Sequence, residues 1–388
     1  MPILNSIIDA HQEITAWRRD FHAHPELLYD VHRTAEKVAE QLESFGVDEV
    51  VTGIGRTGVV GVIRGRGTGP TIGLRADMDA LPITEKSSAS YASQNAGLMH
   101  ACGHDGHTAM LLGAARYLAE NRGLDSDVVV IFQPAEEGGA GGLAMVEDGL
   151  FERFGIDAVY GLHNLPGLPE GSFATCSGAI MASADEFEIE ISAKGGHAAW
   201  PHNTVDPILV AGQVITALQS IVARNVDPLA SAVVSVTQMH SGSAYNVIPS
   251  EATLRGTVRT LAPRTRDVVE ERMNEIVTHI AAGFGATAKL NFRRGYPVTV
   301  NDPNQVAFAC DVAASIVGEE KVERFMTPMM GGEDFAFMLE RCPGSYLFIG
   351  NGDTSGLHTD EYDFNDSIIP IGVSYLVELA RSATSHRR

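Results

Sequence analysis

Hydrophobic and polar positions along this chain follow one pattern, then a second, then return to the first. The segment through about Phe45 reads as helical, and strand-like runs follow at 58–63 and 71–75. A helix is predicted over 108–120. Residues 128–132, Val-Val-Val-Ile-Phe, are almost continuously apolar, as in a strand buried on both faces. A shorter run covers 158–162. Alternating helices and buried strands predict an α/β sheet.

After about Ala184 the order changes. Residues 187–192 alternate as a strand, and Asp206-Pro207 opens a helix running to about Ala223. Strands follow near 232–237 and 252–260. The helix predicted over 265–284 keeps Val269, Met273, Ile276, Val277, Ile280 and Phe284 on one stripe. A last strand covers 288–292. This βαββαβ order is ferredoxin-like and forms a unit able to stand alone. The α/β pattern then resumes, with helices at 304–317, 334–341 and 366–382 and a strand at 345–349. The predicted organisation is an α/β domain of residues 1–184 and 297–388, interrupted by an inserted domain of residues 185–296.

Composition narrows the possibilities. Of 388 residues, 44% are hydrophobic and 20% charged, enough apolar mass for two cores. Lys and Arg number 28 against 49 Asp and Glu, a net charge of −21. That balance argues against nucleic acid or an anionic membrane as partner. An anionic substrate must then be gathered by local arginines. The four cysteines, Cys102, Cys176, Cys310 and Cys342, are too scattered for a disulfide framework. The N-terminus lacks a signal-peptide pattern, and no run of about 18 uninterrupted apolar residues occurs. A cytoplasmic protein with reduced thiols is expected.

The chemistry concentrates at His100-Ala101-Cys102-Gly103-His104-Asp105-Gly106-His107. One thiol, three imidazoles and a carboxylate in eight residues share the capacity to bind a divalent metal. The cluster is expected on a loop feeding the helix at 108. Three further donor groups follow predicted strands: Glu136-Glu137 after 128–132, His163 after 158–162, and His358 in the loop beyond 345–349. Adjacent glutamates suit divided labour. If Glu137 binds metal, Glu136 points elsewhere and can accept a proton from water, the logic of metal-assisted hydrolysis.

At this point the chain resembles the M20-type metal-dependent aminoacylases and carboxypeptidases, in the subgroup of hippurate hydrolases, N-acyl-amino-acid amidohydrolases and auxin-conjugate hydrolases. The matching stretches run from Arg18-Arg19-Asp20-Phe21-His22-Ala23-His24-Pro25-Glu26-Leu27 through Arg75-Ala76-Asp77-Met78-Asp79-Ala80-Leu81, the 100–107 cluster, 132–139, Gly161-Leu162-His163-Asn164, Gly195-Gly196-His197-Ala198-Ala199, Asn246-Val247-Ile248-Pro249 and Gly331-Gly332-Glu333-Asp334-Phe335 to Leu357-His358. The resemblance implies a metallopeptidase-like catalytic domain with an inserted dimerisation or lid domain. It implies two divalent metal ions (Zn, Mn, Co or Ni) held by Cys102, His104, Glu137, His163 and His358, with Glu136 as general base. It further implies that His197 stabilises the oxyanion in a partner subunit's site and that Asn246 and Arg259 hold the substrate carboxylate. The implied reaction cleaves an N-acyl amino acid to a carboxylic acid and an amino acid, in a homodimer or dimer-based tetramer.

Other residues take plainer roles. Asp105 and His107 are expected to support or cap; His22 and His24, to pack or hydrogen-bond; Asp77, to support the site from behind the ligands. His202 and His240 receive no role. Gly53-Ile54-Gly55-Arg56-Thr57-Gly58 matches a dinucleotide-binding spacing but precedes a strand, so nucleotide binding is rejected. N-acetyl-amino-acid deacetylase, auxin-conjugate hydrolase and dipeptidase are alternatives within the class. A non-catalytic metal-binding module is the alternative outside it. A phosphohydrolase would need a basic phosphate cradle, which is not found.

Overall fold

The computed structural model describes residues 4–67 and 69–383, which fall into two compact units. The first comprises Met1–Gly178, Val300–Thr327 and Asp334–Arg388; the second, Ala179–Thr299 and Pro328–Glu333.

The first unit is built on an eight-stranded sheet in the order Glu49–Ile54, Gly58–Ile63, Val128–Gln133, Ile72–Asp77, Ala158–Pro166, Gly344–Gly352, Phe173–Ala174, Val322–Glu323. The four strands from Val128–Gln133 to Gly344–Gly352 run parallel to one another. Asp77 lies opposite Gln133, and His163 opposite Phe348. Every residue of Gly58–Ile63, Ile72–Asp77 and Val128–Gln133 is buried, which is why these strands read as apolar runs without alternation. The helix His104–Glu120 is buried along nearly its whole length and packs between the sheet, His11–Ala23 and Ile369–Ala383.

Several elements differ from the sequence expectation. The N-terminal helical segment is three helices, Asn5–Asp9, His11–Ala23 and His32–Ser44, with Pro25 in the break. The central helix begins at His104 and not at 108. Gly103, at φ +88°, turns the chain into it, and the Gly106 and His107 amides donate to Gly103 O. Gly106 disguises this start because it is a poor helix former. It is required there because a Cβ would lie 2.3 Å from the Phe364 ring. The helix expected over 334–341 shrinks to Ala336–Leu339. The strand expected to end at Leu162 continues to Pro166, so His163 lies within it. The glycines at 53–58 make a hairpin between antiparallel strands.

The second unit has an antiparallel sheet in the order Ala232–Ser241, Glu251–Thr260, Ala184–Ser192, Thr287–Tyr296. With helices Pro207–Arg224 and Pro263–Gly283, the chain order is βαββαβ. Strand Ala184–Ser192 alternates, burying Phe187, Ile189 and Ile191. Both helices press Val210, Val214, Leu218, Val269, Met273 and Val277 into the same core. Asp206 caps the first helix by accepting from the Ile208 amide at 2.9 Å, with Pro207 at its first position. Pro207–Arg224 is long and apolar enough by length and composition to cross a membrane, yet its buried stripe serves this core.

Candidate metal centre

Parallel strands carry their C-terminal ends to one edge of the sheet, and the donors gather there. Cys102 sits in the bend before the central helix, and His104 is the helix's first residue. Glu136 and Glu137 follow the strand Val128–Gln133, His163 lies within Ala158–Pro166, and His358 is in the loop after Gly344–Gly352. Cys102 Sγ is 3.5 Å from His163 Nε2. Glu137 Oε1 is 3.2 Å from His358 Nε2 and 3.9 Å from His104 Nε2. Donor atoms of Cys102, Glu137 and His358 lie within 4.8 Å of one another, as do those of His104, Glu136 and Glu137. All five expected ligands and Glu136 therefore meet within the first unit.

Hydrogen bonds decide which nitrogen each imidazole offers. His104 Nδ1–H donates to Asp79 O at 2.8 Å, and His163 Nδ1–H donates to Asn164 O at 2.6 Å. Both turn Nε2 toward the other donors; burial pushes His104 down, but Asp77 and Cys102 outweigh it and raise it above the imidazole range, so a cation would have to displace its Nε2 proton. His107 differs. Its Nε2 accepts from the Asn164 amide at 3.0 Å, so Nδ1 carries the proton and donates to Asp77 Oδ1 at 2.7 Å. Although His107 clusters with Asp77, His104 and His163, both its nitrogens are engaged. Asp77 also accepts from Arg75 Nη1 at 2.7 Å.

Two residues that sequence reasoning undervalued organise this layer. Asp79 accepts the Glu136 amide on Oδ1 at 3.0 Å and the Glu137 amide on Oδ2 at 3.1 Å, fixing the backbone of both glutamates. Asn164 donates from Nδ2 to Cys102 O at 2.7 Å and accepts from Tyr362 Oη at 2.7 Å. The only sequence signal was adjacency: Asp79 lies two residues beyond Asp77, and Asn164 follows His163. Backbone strain marks the same loops. Ala135, before the glutamates, has φ +54°, and His358 has φ +61°.

A metal fits the donor set. His104 Nε2 is buried without a hydrogen-bond partner, which a native interior rarely tolerates, and buried Glu137 Oε1 has the half-exposed His358 ring at 3.2 Å. Burial pushes the Cys102 thiol well above its usual range, so only a cation would hold it as thiolate. Burial pushes His163 well below the imidazole range, leaving it in its neutral, ligating form. Burial opposes ionisation of Asp77, but His104, Arg75 and His107 outweigh it and keep the carboxyl well below its ordinary value. Glu136 is buried, with Oε1 3.4 Å from the Asp334 amide.

Behind the ligands lies a buried charge network. His22 Nδ1 is 2.9 Å from Asp105 Oδ2, and its Nε2 is 3.3 Å from Glu85 Oε1. Two carboxylate partners require an imidazolium. Burial pushes the group down, but Asp105 and Glu85 outweigh it and raise its pKa to about 9. Fully buried Arg18 reaches Asp105 at 3.3 Å and Asp366 at 2.8 Å. His24 Nδ1 donates to Asp20 O at 2.8 Å.

The remaining expected residues belong to the second unit. His197 pairs in register with Val247 on a two-stranded ribbon, Gly196–His197 against Val247–Ile248. The Ala198 amide donates to Asn246 O at 3.0 Å, so His197 and Asn246 are neighbours there, both exposed. Arg259 lies elsewhere, half-buried on Glu251–Thr260, with Nη1 donating to Val258 O at 3.0 Å and to Thr257 Oγ1. Burial lowers its pKa, opposed by Asp185 and Glu186. His202 and His240 are exposed.

Comparison with known proteins identifies relatives of the whole chain. The model of Peptidase family M20/M25/M40 matches residues 73–382. The chain is 44% identical to a hippurate hydrolase of Campylobacter jejuni over 98% of its length and 99% of the relative's. It is 41% identical to an N-acetylcysteine deacetylase of Bacillus subtilis over 95% of its length and 96% of the relative's. The crystal structure of the Bacillus subtilis YXEP protein, a dinuclear metal-binding peptidase, superposes with a TM-score of 0.86 at 36% identity, covering 97% of this chain and 98% of that one.

Proposed function

Because this chain belongs to peptidase family M20/M25/M40, we propose that it is a metal-dependent amidohydrolase cleaving an N-acyl amino acid of the hippurate type into a carboxylic acid and a free amino acid. One observation carries the proposal: Cys102, His104, Glu137, His163 and His358 converge beside Glu136, with buried His104 Nε2 making no hydrogen bond. Those five residues would hold two divalent ions, whose identity among zinc, manganese, cobalt and nickel is open. When bound, such ions polarise a carbonyl and acidify water.

Glu136 takes a proton from the attacking water as the oxygen adds to the amide carbonyl carbon. When the C–N bond breaks, Glu136 returns that proton to the departing nitrogen. His197 donates a hydrogen bond to the oxyanion, acting in the site of a partner subunit. Asn246 and Arg259 hold the substrate carboxylate, a charge-assisted contact that lets an acidic protein bind an anion. Asp79 and Asn164 keep the ligand loops in register.

The segment 185–296 serves in this proposal as a dimerisation and lid domain of a cytoplasmic homodimer. Strand Ala232–Ser241 supports the dimer because it is the edge of its sheet, paired on one side alone. Helix Pro207–Arg224 adds exposed Ile208, Leu209 and Val222. Free Cys102, Cys310 and Cys342 suit a reducing compartment.

The test is a panel of N-benzoyl, N-acetyl and indole-acetyl amino acids, assayed with each of the four metals. Benzoylglycine is expected among the best substrates. Selective cleavage of N-acetyl amino acids would favour the deacetylase reading, which the Bacillus subtilis relative supports. No cleavage of any member with metal bound would contradict amidohydrolase function.

A further inference from the structure

His197 stands on the exposed ribbon, where an imidazole would ordinarily sample several rotamers. Three contacts restrict it. The Ala199 amide donates to Nδ1 at 3.1 Å, so the proton of the neutral ring resides on Nε2 and that edge is a donor. The Trp200 amide donates to His197 O at 2.9 Å. The Trp200 indole lies against the imidazole, with ring centroids 4.4 Å apart and planes inclined by 41°.

The backbone that carries the indole is itself held by its loop. Pro201 opens a one-turn 3-10 helix, Pro201–Asn203, and the Asn203 amide donates to Trp200 O at 3.1 Å. The Val205 amide donates to Lys194 O at 2.8 Å, closing residues 194–205 into a compact loop. Gly195 lets that loop lie directly on the ribbon, since a Cβ there would meet Ile248 O at 2.6 Å. Trp200 is 58% exposed, with the imidazole against its ring. Its contact with the imidazole gives the exposed indole a purpose.

We infer that Trp200 is the positioning residue for His197: its ring, with the Ala199 amide, holds the imidazole in one rotamer with Nε2–H directed outward as a hydrogen-bond donor. The inference rests on the proposed role of His197 as oxyanion donor. A donor that must be oriented only at the transition state contributes to kcat and little to substrate binding.

The experiment compares H197A, W200A, W200F and the H197A/W200A double variant as metal-loaded full-length enzyme, with kcat and KM measured on benzoylglycine. W200A is expected to lower kcat roughly tenfold with KM within about twofold, while W200F restores most of the rate because a phenyl ring can still pack on the imidazole. The double variant should be no slower than H197A alone, since the indole acts through the imidazole. A W200A kcat near wild type beside an impaired H197A would overturn the inference alone. So would a W200A loss that multiplies undiminished onto H197A. An H197A enzyme with normal kcat would overturn the role of His197, and this inference with it.

Discussion

Cys102, His104 and His163 lie inside the first unit, each within reach of a further donor. His197 and Asn246 stand in the second unit on an exposed ribbon held by two register pairs. The contrast follows from what each group must do. Metal ligands need fixed lone pairs in a water-poor site, so burial and a second layer of hydrogen bonds set both tautomer and direction. In this proposal, a hydrogen-bond donor brought to a substrate must stay accessible, so local loop contacts and the tilted Trp200 ring would orient it. Substitutions in the first region should therefore change metal affinity and stability; those in the second should change turnover or substrate binding and leave stability nearly untouched.

The sharpest way to break this contrast is Asp79→Asn. The side chain then keeps one good acceptor for two backbone amides, which loosens Glu136 and Glu137 together. Metal affinity should fall by about 10- to 100-fold, read by calorimetric titration of the metal-free protein. Unchanged affinity would mean that the buried layer does not organise the ligands.

The charge network behind the ligands predicts a pH dependence. His22, raised to about 9, adds stability in full below its unfolded value of about 6.5; that stability is lost as pH climbs through 9. Its partner Glu85 is opposed by burial but drawn down to about 2 by His22 and by Ser87 and Ser93, so its share is present above about 4.5 and lost as pH falls through 2. Denaturant unfolding should show wild type losing on the order of 3 kcal/mol between pH 6.5 and 9, with His22→Gln flatter over that window and less stable at pH 6. Equal slopes in the two proteins would remove His22 from the account.

The smallest expected effect lies on the ribbon. Asn246→Ala should leave unfolding free energy within about 0.5 kcal/mol of wild type while raising KM for the N-acyl amino acid. A large stability loss would show that this ribbon is as tightly integrated as the buried cluster.

What the sequence disclosed follows the same division. The buried strands, the amphipathic helices of the second unit and the dense donor cluster each left a local pattern. Val128–Gln133 could be read as a doubly buried strand because burial removes alternation. The early start of the central helix could not, because Gly106 is chosen for the Phe364 ring far along the chain. Nor could the role of Asp79, because its partners arrive only after the sheet forms. The partners of His107, expected to support or cap, were not legible either, because the Asn164 amide on its Nε2 comes from a strand far along the chain. Trp200 carried no signal in the sequence, because its partner is the His197 ring that the loop folds against it.

The proposed hydrolysis depends most on a division of labour between adjacent glutamates, one binding metal and the other moving a proton. Glu136→Gln tests it directly when metal content and benzoylglycine turnover are measured on the same sample. Two metal ions per chain retained, with turnover reduced by at least about 10²- to 10⁴-fold, is the predicted result. Near-normal turnover with both ions bound would contradict it.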